Sequence, residues 1–309
     1  MGARLTLTTW LTAALALSAP ALAAPSDKGR GPYRVVMETN AGLPRQTVYR
    51  PANLSAFGKT RLPIFVWGNG GCDNVSNRYR SFLTDIASRG YLVLALGRPG
   101  PRSVEHSWPE ENPTLPAGPI DVNAPANSYP EDMTQAIDWA VAQNGAANSP
   151  LKGRIDTGKI AVAGHSCGGL QALTLAASDP RITTTLMLNS GVWGLGSGGL
   201  PGAAKVTKES LKQIHGSIAL INGETDVALP NARDDFSRLS GVPAFRADRK
   251  GVAHSGTYWL PHGGAFATVT AAWLDWQLKG DARAARWFAG ADCRLCTDPR
   301  WTVERKNIP

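Results

Sequence analysis

The sequence predicts an α/β protein with a mostly parallel central sheet and helices on both faces. Two apolar runs, 62–67 and 91–96, carry almost no polar residue, as expected of strands covered on both sides. Segments of helical periodicity alternate with such runs, the pattern of a parallel sheet with crossover helices. The stretch Gly164-His165-Ser166-Cys167-Gly168 lies between a short apolar run, 159–163, and a good helix former, 168–177. That context lets a G-x-S-x-G pattern mount a serine hydroxyl on a strained strand-to-helix turn.

The elements follow in order. Residues 33–38 and 46–50 read as the first strands, with Ala41, Gly42, Leu43 and Pro44 as the turn between them. The run 62–67 is the third strand. In 79–89, Phe82, Leu83, Ile86 and Ala87 share one helical face, and Gly90 ends the helix before strand 91–96. Eight prolines between Gly97 and Pro130 then break the rhythm. A loop this long is commonly functional, and it reads as an insertion at about 97–130 that walls or covers a cleft, with His106 and Trp108 facing a substrate. Met133, Ala136, Ile137 and Ala140 define a helix over 131–143, and 156–163 leads into the serine turn. Residues 183–188 form a strand, followed by a loop, 191–202, that carries Trp193. Strand 217–222, a helix on which Asp234 and Asp235 read as solvated charges, strand 242–246 and helix 266–278 complete the order.

Ser166 needs a base and an acid to act as a nucleophile, and both are available downstream in the order serine, acid, histidine. Asp226 follows strand 217–222, at the end of the sheet where sites assemble, and is the candidate acid; Glu224 in the same loop is its rival. Among five histidines, His254 lies in a loop between a strand and the last helix and is the candidate base, with His262 second. His106 and His215 read as surface histidines, and His165 as structural, its side chain directed away from the reacting centre. Acyl transfer also requires donors for an oxyanion. The backbone N–H of Cys167 is one. The glycine-rich stretch after the third strand offers Gly70 and Gly71 for the second, because no Cβ blocks the approach of a ligand.

With these residues in place, the chain resembles the α/β-hydrolases of the dienelactone-hydrolase-like and polyester-hydrolase-like group. Trp67-Gly68-Asn69-Gly70-Gly71 matches the oxyanion loop, 164–169 the nucleophile turn, Asp226 the acid and His254 the base, over roughly residues 33–290. The resemblance implies the α/β-hydrolase fold and a serine hydrolase acting on small or polymeric carboxylic esters without a cofactor. It departs from dienelactone hydrolases, which carry a cysteine where this chain has Ser166, so their lactone chemistry is not carried over. It also lacks the aromatic residue that polyester hydrolases often place in the oxyanion loop.

Residues 1–23 read as a secretory signal peptide. Arg4 supplies the positive start, 5–17 the apolar run and Ala21-Leu22-Ala23 the cleavage box. The run is too short to span a bilayer, no later segment is apolar enough, and the expected product is an exported protein, periplasmic or extracellular, with 24–309 as a single domain. A net formal charge of +8 favours encounters with anionic surfaces. The basic residues are dispersed, without a Lys/Arg run or interleaved aromatics, which argues against nucleic-acid binding; oligomeric state is not set by any of these features.

Four cysteines in an exported chain suggest two disulfides, with three possible pairings. Local pairing of Cys293 with Cys296 is the simplest, leaving Cys72 and Cys167 for each other or as buried thiols. A four-cysteine zinc site is disfavoured, since two ligands would have to leave the turns around Ser166, and no metal is expected. Of ten tryptophans, Trp273, Trp276 and Trp287 read as packing, while Trp193 and Trp259 are the candidates for an acyl or aromatic pocket.

Overall fold

The computed structural model describes residues 28–102, 105, 126–193 and 206–309. The expected signal peptide, most of the proline-rich insertion with His106 and Trp108, and much of the loop after Trp193 lie outside the described residues.

One nine-stranded sheet runs through the chain, in the order β1-β2-β4-β3-β5-β6-β7-β8-β9. The strands are β1 (Val35–Asn40), β2 (Leu43–Pro51), β3 (Leu62–Gly68), β4 (Leu92–Leu96), β5 (Ile155–His165), β6 (Thr184–Leu188), β7 (Ser217–Gly223), β8 (Ala244–Arg249) and β9 (Trp301–Lys306). The block from β4 to β8 is parallel; β2 and β9 join its two edges antiparallel, and β1 pairs antiparallel with β2. This is the α/β-hydrolase arrangement that the sequence predicts.

The parallel strands separate two apolar layers. Successive side chains of β3 point to opposite faces: Ile64 and Val66 join one layer, Phe65 and Trp67 the other. Helices α2 (Pro130–Gly145), α3 (Cys167–Ala176) and α4 (Leu229–Arg238) cover the first layer through Met133, Leu170 and Phe236. Helices α1 (Arg80–Ala87) and α5 (Gly264–Lys279) cover the second through Phe82, Phe266 and Trp273. Two short helices, α6 (Ala282–Ala285) and α7 (Arg294–Thr297), precede β9. Among the described residues, no helix is long and apolar enough to cross a membrane.

Several boundaries differ from expectation for local reasons. Leu43 and Pro44, expected in the first turn, belong to β2: Asn40 Oδ1 accepts the Gly42 N–H at 2.9 Å, and Asn40 already pairs with Leu43 across the tight turn. The ladder shifts register between Glu38 and Asn40, in the stretch where β2 carries Pro44, which has no N–H to donate. A 3-10 turn over Ser76–Tyr79 precedes α1, so Tyr79 is not part of that helix. Strand β8 continues past Arg246 because Arg246 and Asp248, both buried, pair with each other on one face. Asp235 is not a solvated charge. It is fully buried on α4, accepts the Val192 N–H at 2.7 Å and Lys208 Nζ at 2.6 Å, and burial pushes its carboxyl up to about 6. Its partners tie the loop after β6 to α4. Asp234 is partly exposed and pairs with Lys208 and Arg238.

Two disulfides form, one of them the local pairing. Cys72 and Cys167 are bonded across 95 residues with a Cα–Cα distance of 5.2 Å, and Cys293 is bonded to Cys296.

Candidate active site

The C-terminal ends of the parallel strands bring the polar residues together. Strand β5 ends at His165, and Ser166 takes φ 52° and ψ −118°, a backbone region disfavoured for a residue with a Cβ and costing about 1–3 kcal/mol. Hydrogen bonds hold it there: the Ser166 N–H donates to the Leu188 carbonyl at 3.0 Å, and its own carbonyl accepts the Gly169 N–H at 2.9 Å and Ser190 Oγ at 2.8 Å. The turn can be this tight because Gly168 lies against β3. A Cβ on Gly168 would stand 2.1 Å from the Gly68 carbonyl carbon. Helix α3 therefore starts directly at Cys167, and its first N–H groups have no partner within the helix, which gives that end a partial positive charge.

His254 Nε2 lies 3.0 Å from Ser166 Oγ, and His254 Nδ1 lies 2.7 Å from Asp226 Oδ1. An ionised carboxylate only accepts, so Nδ1 carries the hydrogen and Nε2 is left to take a proton from the serine hydroxyl. Asp226 is itself saturated. Its Oδ1 also accepts the Ala228 N–H at 2.8 Å, and its Oδ2 accepts Asn189 Nδ2 at 2.7 Å and Asn222 Nδ2 at 3.2 Å. Burial alone would raise the Asp226 carboxyl, but the bonds from His254, Ala228 and Asn189 outweigh it and hold the group below its ordinary value of 3.8. Tyr258 completes the network, donating from Oη to Asn189 Oδ1 at 2.8 Å.

The rivals stand elsewhere. Glu224 is exposed and accepts the Gly251 N–H at 3.2 Å; His262 sits in a turn of positive φ whose carbonyl accepts from Arg30. His215 is exposed.

Of the two glycines expected as second donors, Gly70 does not fit: its N–H already donates to Tyr79 Oη at 2.9 Å. That leaves Gly71, whose φ of 64° places it in the left-handed region. The Cys72–Cys167 bond ties the end of this loop to the first residue of α3.

His165 is buried, as expected of a structural residue, but it does not turn away from the site. Its ring centroid lies 5.1 Å from that of His254, and its Nε2 donates to the His254 carbonyl at 2.8 Å. Trp259 is partly buried and packs on Tyr79, Tyr258 and His165. Trp193 is partly buried against the α2–α3–α4 layer, while Trp273 sits in the opposite core with Trp276 and Trp287 beside it.

Sequence reasoning did not single out Asn189, Asn222, Tyr79 or Tyr258. The two asparagines had a visible signal, since each follows the apolar run of a parallel strand and so reaches the same edge of the sheet. The tyrosines had none, and both lie buried in the core.

Known proteins resemble part of this chain. Residues 120–215 match the PET hydrolase-like (PETase) family model. A cutinase of Thermobifida fusca (strain YX) is 26% identical over 183 residues, 58% of this chain and 56% of the cutinase. The cutinase cut1 of Thermobifida fusca is 24% identical over 198 residues, 58% of this chain and 52% of its own length. The chain thus spans about half the length of these relatives. With the nine-stranded sheet, these similarities support an α/β-hydrolase of the polyester-hydrolase-like serine esterase group.

Proposed function

We propose that this chain is an exported serine hydrolase, one domain over residues 24–309, that cleaves carboxylic esters through an acyl-enzyme. Ser166 is the nucleophile, His254 the general base and then acid, and Asp226 the residue that fixes the His254 tautomer and stabilises its charged form. The N–H groups of Cys167 and Gly71 receive the developing oxyanion. Water then takes the place of the alcohol, His254 removes its proton, and the acyl group leaves Ser166. The protein's own side chains and backbone N–H groups, with water, carry out each of these steps.

The observation that carries the reading is the continuous hydrogen-bonded line from Asp226 Oδ1 through His254 to Ser166 Oγ, at 2.7 and 3.0 Å. Ester rather than amide chemistry draws on the similarity to cutinases and to the PET hydrolase-like family. The substrate is a small or polymeric ester, with Trp259 and Trp193 as the aromatic walls of its site; Trp108 lies outside the described residues. Export draws on the leader expected over 1–23 and on two disulfides, which persist in oxidising compartments. A series of p-nitrophenyl esters graded in acyl length, matched amides and an aromatic polyester film test the reading together. Turnover of the esters that disappears in Ser166→Ala supports it. Preferential cleavage of the amides would transfer the same residues to a peptidase.

A further inference from the structure

The imidazole of His165 is buried, and both of its nitrogens are engaged. Nε2 faces the His254 carbonyl at 2.8 Å. A carbonyl only accepts, so Nε2 carries the hydrogen. Burial and the adjacent His254 hold the ring neutral, pushed down to about 3, and Nδ1 is therefore bare. Tyr79 Oη, 2.7 Å from Nδ1, must donate to it. Having spent its hydrogen there, Tyr79 Oη accepts the Gly70 N–H at 2.9 Å. The direction of every bond is thereby set: Gly70 donates to Tyr79, Tyr79 to His165, and His165 to the backbone of His254.

This chain of bonds crosses three loops: the one after β3, the serine turn and the one after β8. We propose that His165 and Tyr79 are positioning residues, which hold the oxyanion loop and the backbone of His254 at fixed separation across Ser166. The proposal rests on the roles given above to Ser166 and His254. Two further observations fit it. The opposite tautomer of His165 would set a lone pair on Nε2 against the His254 carbonyl and push that loop away. Position 70 also has no room for a side chain, because a Cβ there would lie 2.4 Å from His165 Nδ1 and 2.8 Å from Tyr79 Oη. Among the described residues, the ring also faces Tyr258 and Trp259, at 5.0 and 6.3 Å between centroids, with Asp226 on the far side of His254.

Two measurements test this. In protein labelled with ¹⁵N-histidine, with His165 assigned by its loss in His165→Phe, the ring should show a protonated Nε2 and a bare Nδ1, unchanged from pH 8 to 4.5. Titration within that window, or the Nδ1–H form, overturns the proposal, and this measurement does not depend on turnover. In the second, Tyr79→Phe removes one hydroxyl and keeps the ring, whereas Gly70→Ala drives a methyl into the chain and removes no polar group. A displacement near 1 Å at a reacting group costs about 10²-fold. Each variant should therefore lower kcat by roughly 10- to 100-fold with KM within about threefold, and the double variant should be little worse than the weaker single, because the two act on one unit. A lowered melting temperature with unchanged kcat in Tyr79→Phe would make the hydroxyl merely structural and overturn the proposal. Ester turnover absent from the wild-type protein would count against the esterase reading, and the spectra would still decide the bond directions.

Discussion

Removing the Cys72–Cys167 bond should lower stability and rate together. The bond closes a loop of 95 residues, which in the chain-entropy model stabilises the fold by about 4–5 kcal/mol. Both cysteines are only 1% exposed, so Cys72→Ala/Cys167→Ala adds the loss of two well-packed sulfur atoms without burying a new polar group. A loss of that size, at about 2–4 °C per kcal/mol for domains somewhat smaller than this one, corresponds to a melting temperature lower by roughly 10 °C. The rate effect is local. Cys167 is the first residue of α3, and its N–H is the proposed oxyanion donor; losing such a donor outright costs about 10²- to 10³-fold in kcat, and loosening it should cost about 10-fold. Melting followed by circular dichroism and initial rates on a soluble ester, both without reductant, read the two effects. Cys293→Ala/Cys296→Ala is the control: with a sequence separation of 3 its loop term is smaller, about 2 kcal/mol, and kcat should not change. A double variant at Cys72 and Cys167 that melts within about 3 °C of the parent, or keeps its full kcat, would refute the reasoning.

Asp226→Asn and His254→Ala should each lower kcat by at least about 10³-fold, and Glu224→Gln and His262→Ala by less than about threefold; a larger loss in His262→Ala than in His254→Ala would displace the base. His165 provides a pH test. Burial holds its folded-state value near 3 against an ordinary 6.5, so between these limits the unfolded chain binds a proton that the folded state does not. Its contribution is complete above pH 6.5 and declines as pH falls, by about 2 kcal/mol at pH 5. Denaturant unfolding at pH 7 and 5 should show this slope reduced by that amount in His165→Phe, and an identical slope in both proteins would contradict it. Gly168→Ala sets a methyl against the backbone of Gly68, where no side chain can move aside, and should lower stability by at least about 1–3 kcal/mol. An unchanged denaturation midpoint would show that the serine turn is looser than described.

Much of this molecule was legible in its sequence because the parallel sheet writes itself as apolar runs. Strands β3 and β4 feed both layers, so neither alternates, and their ends locate the edge where Ser166, Asp226 and His254 meet. The G-x-S-x-G spacing reflects a packing necessity as well as chemistry, since glycine at 168 is what lets β3 and α3 touch. What escaped was polar and buried. Asp235, Arg246 and Asp248 look like surface charges until the fold brings Lys208, Glu304 and Arg233 to them. Gly70 looks like a free donor until Tyr79, nine residues later, folds back onto its N–H. Strand β9 had a faint signal in the alternation of Trp301 and Val303, which pack inward while Thr302 and Glu304 stay exposed.

The central claim is that Ser166 is a nucleophile activated by His254. A fluorophosphonate reads this most directly, because it forms a bond with an activated serine and leaves ordinary hydroxyls unmodified. Intact mass spectrometry after brief exposure should show one adduct per chain, mapped to Ser166 in a peptide digest, absent from Ser166→Ala and strongly slowed in His254→Ala. No adduct on the folded wild-type protein, or an adduct that persists in Ser166→Ala, would contradict the account.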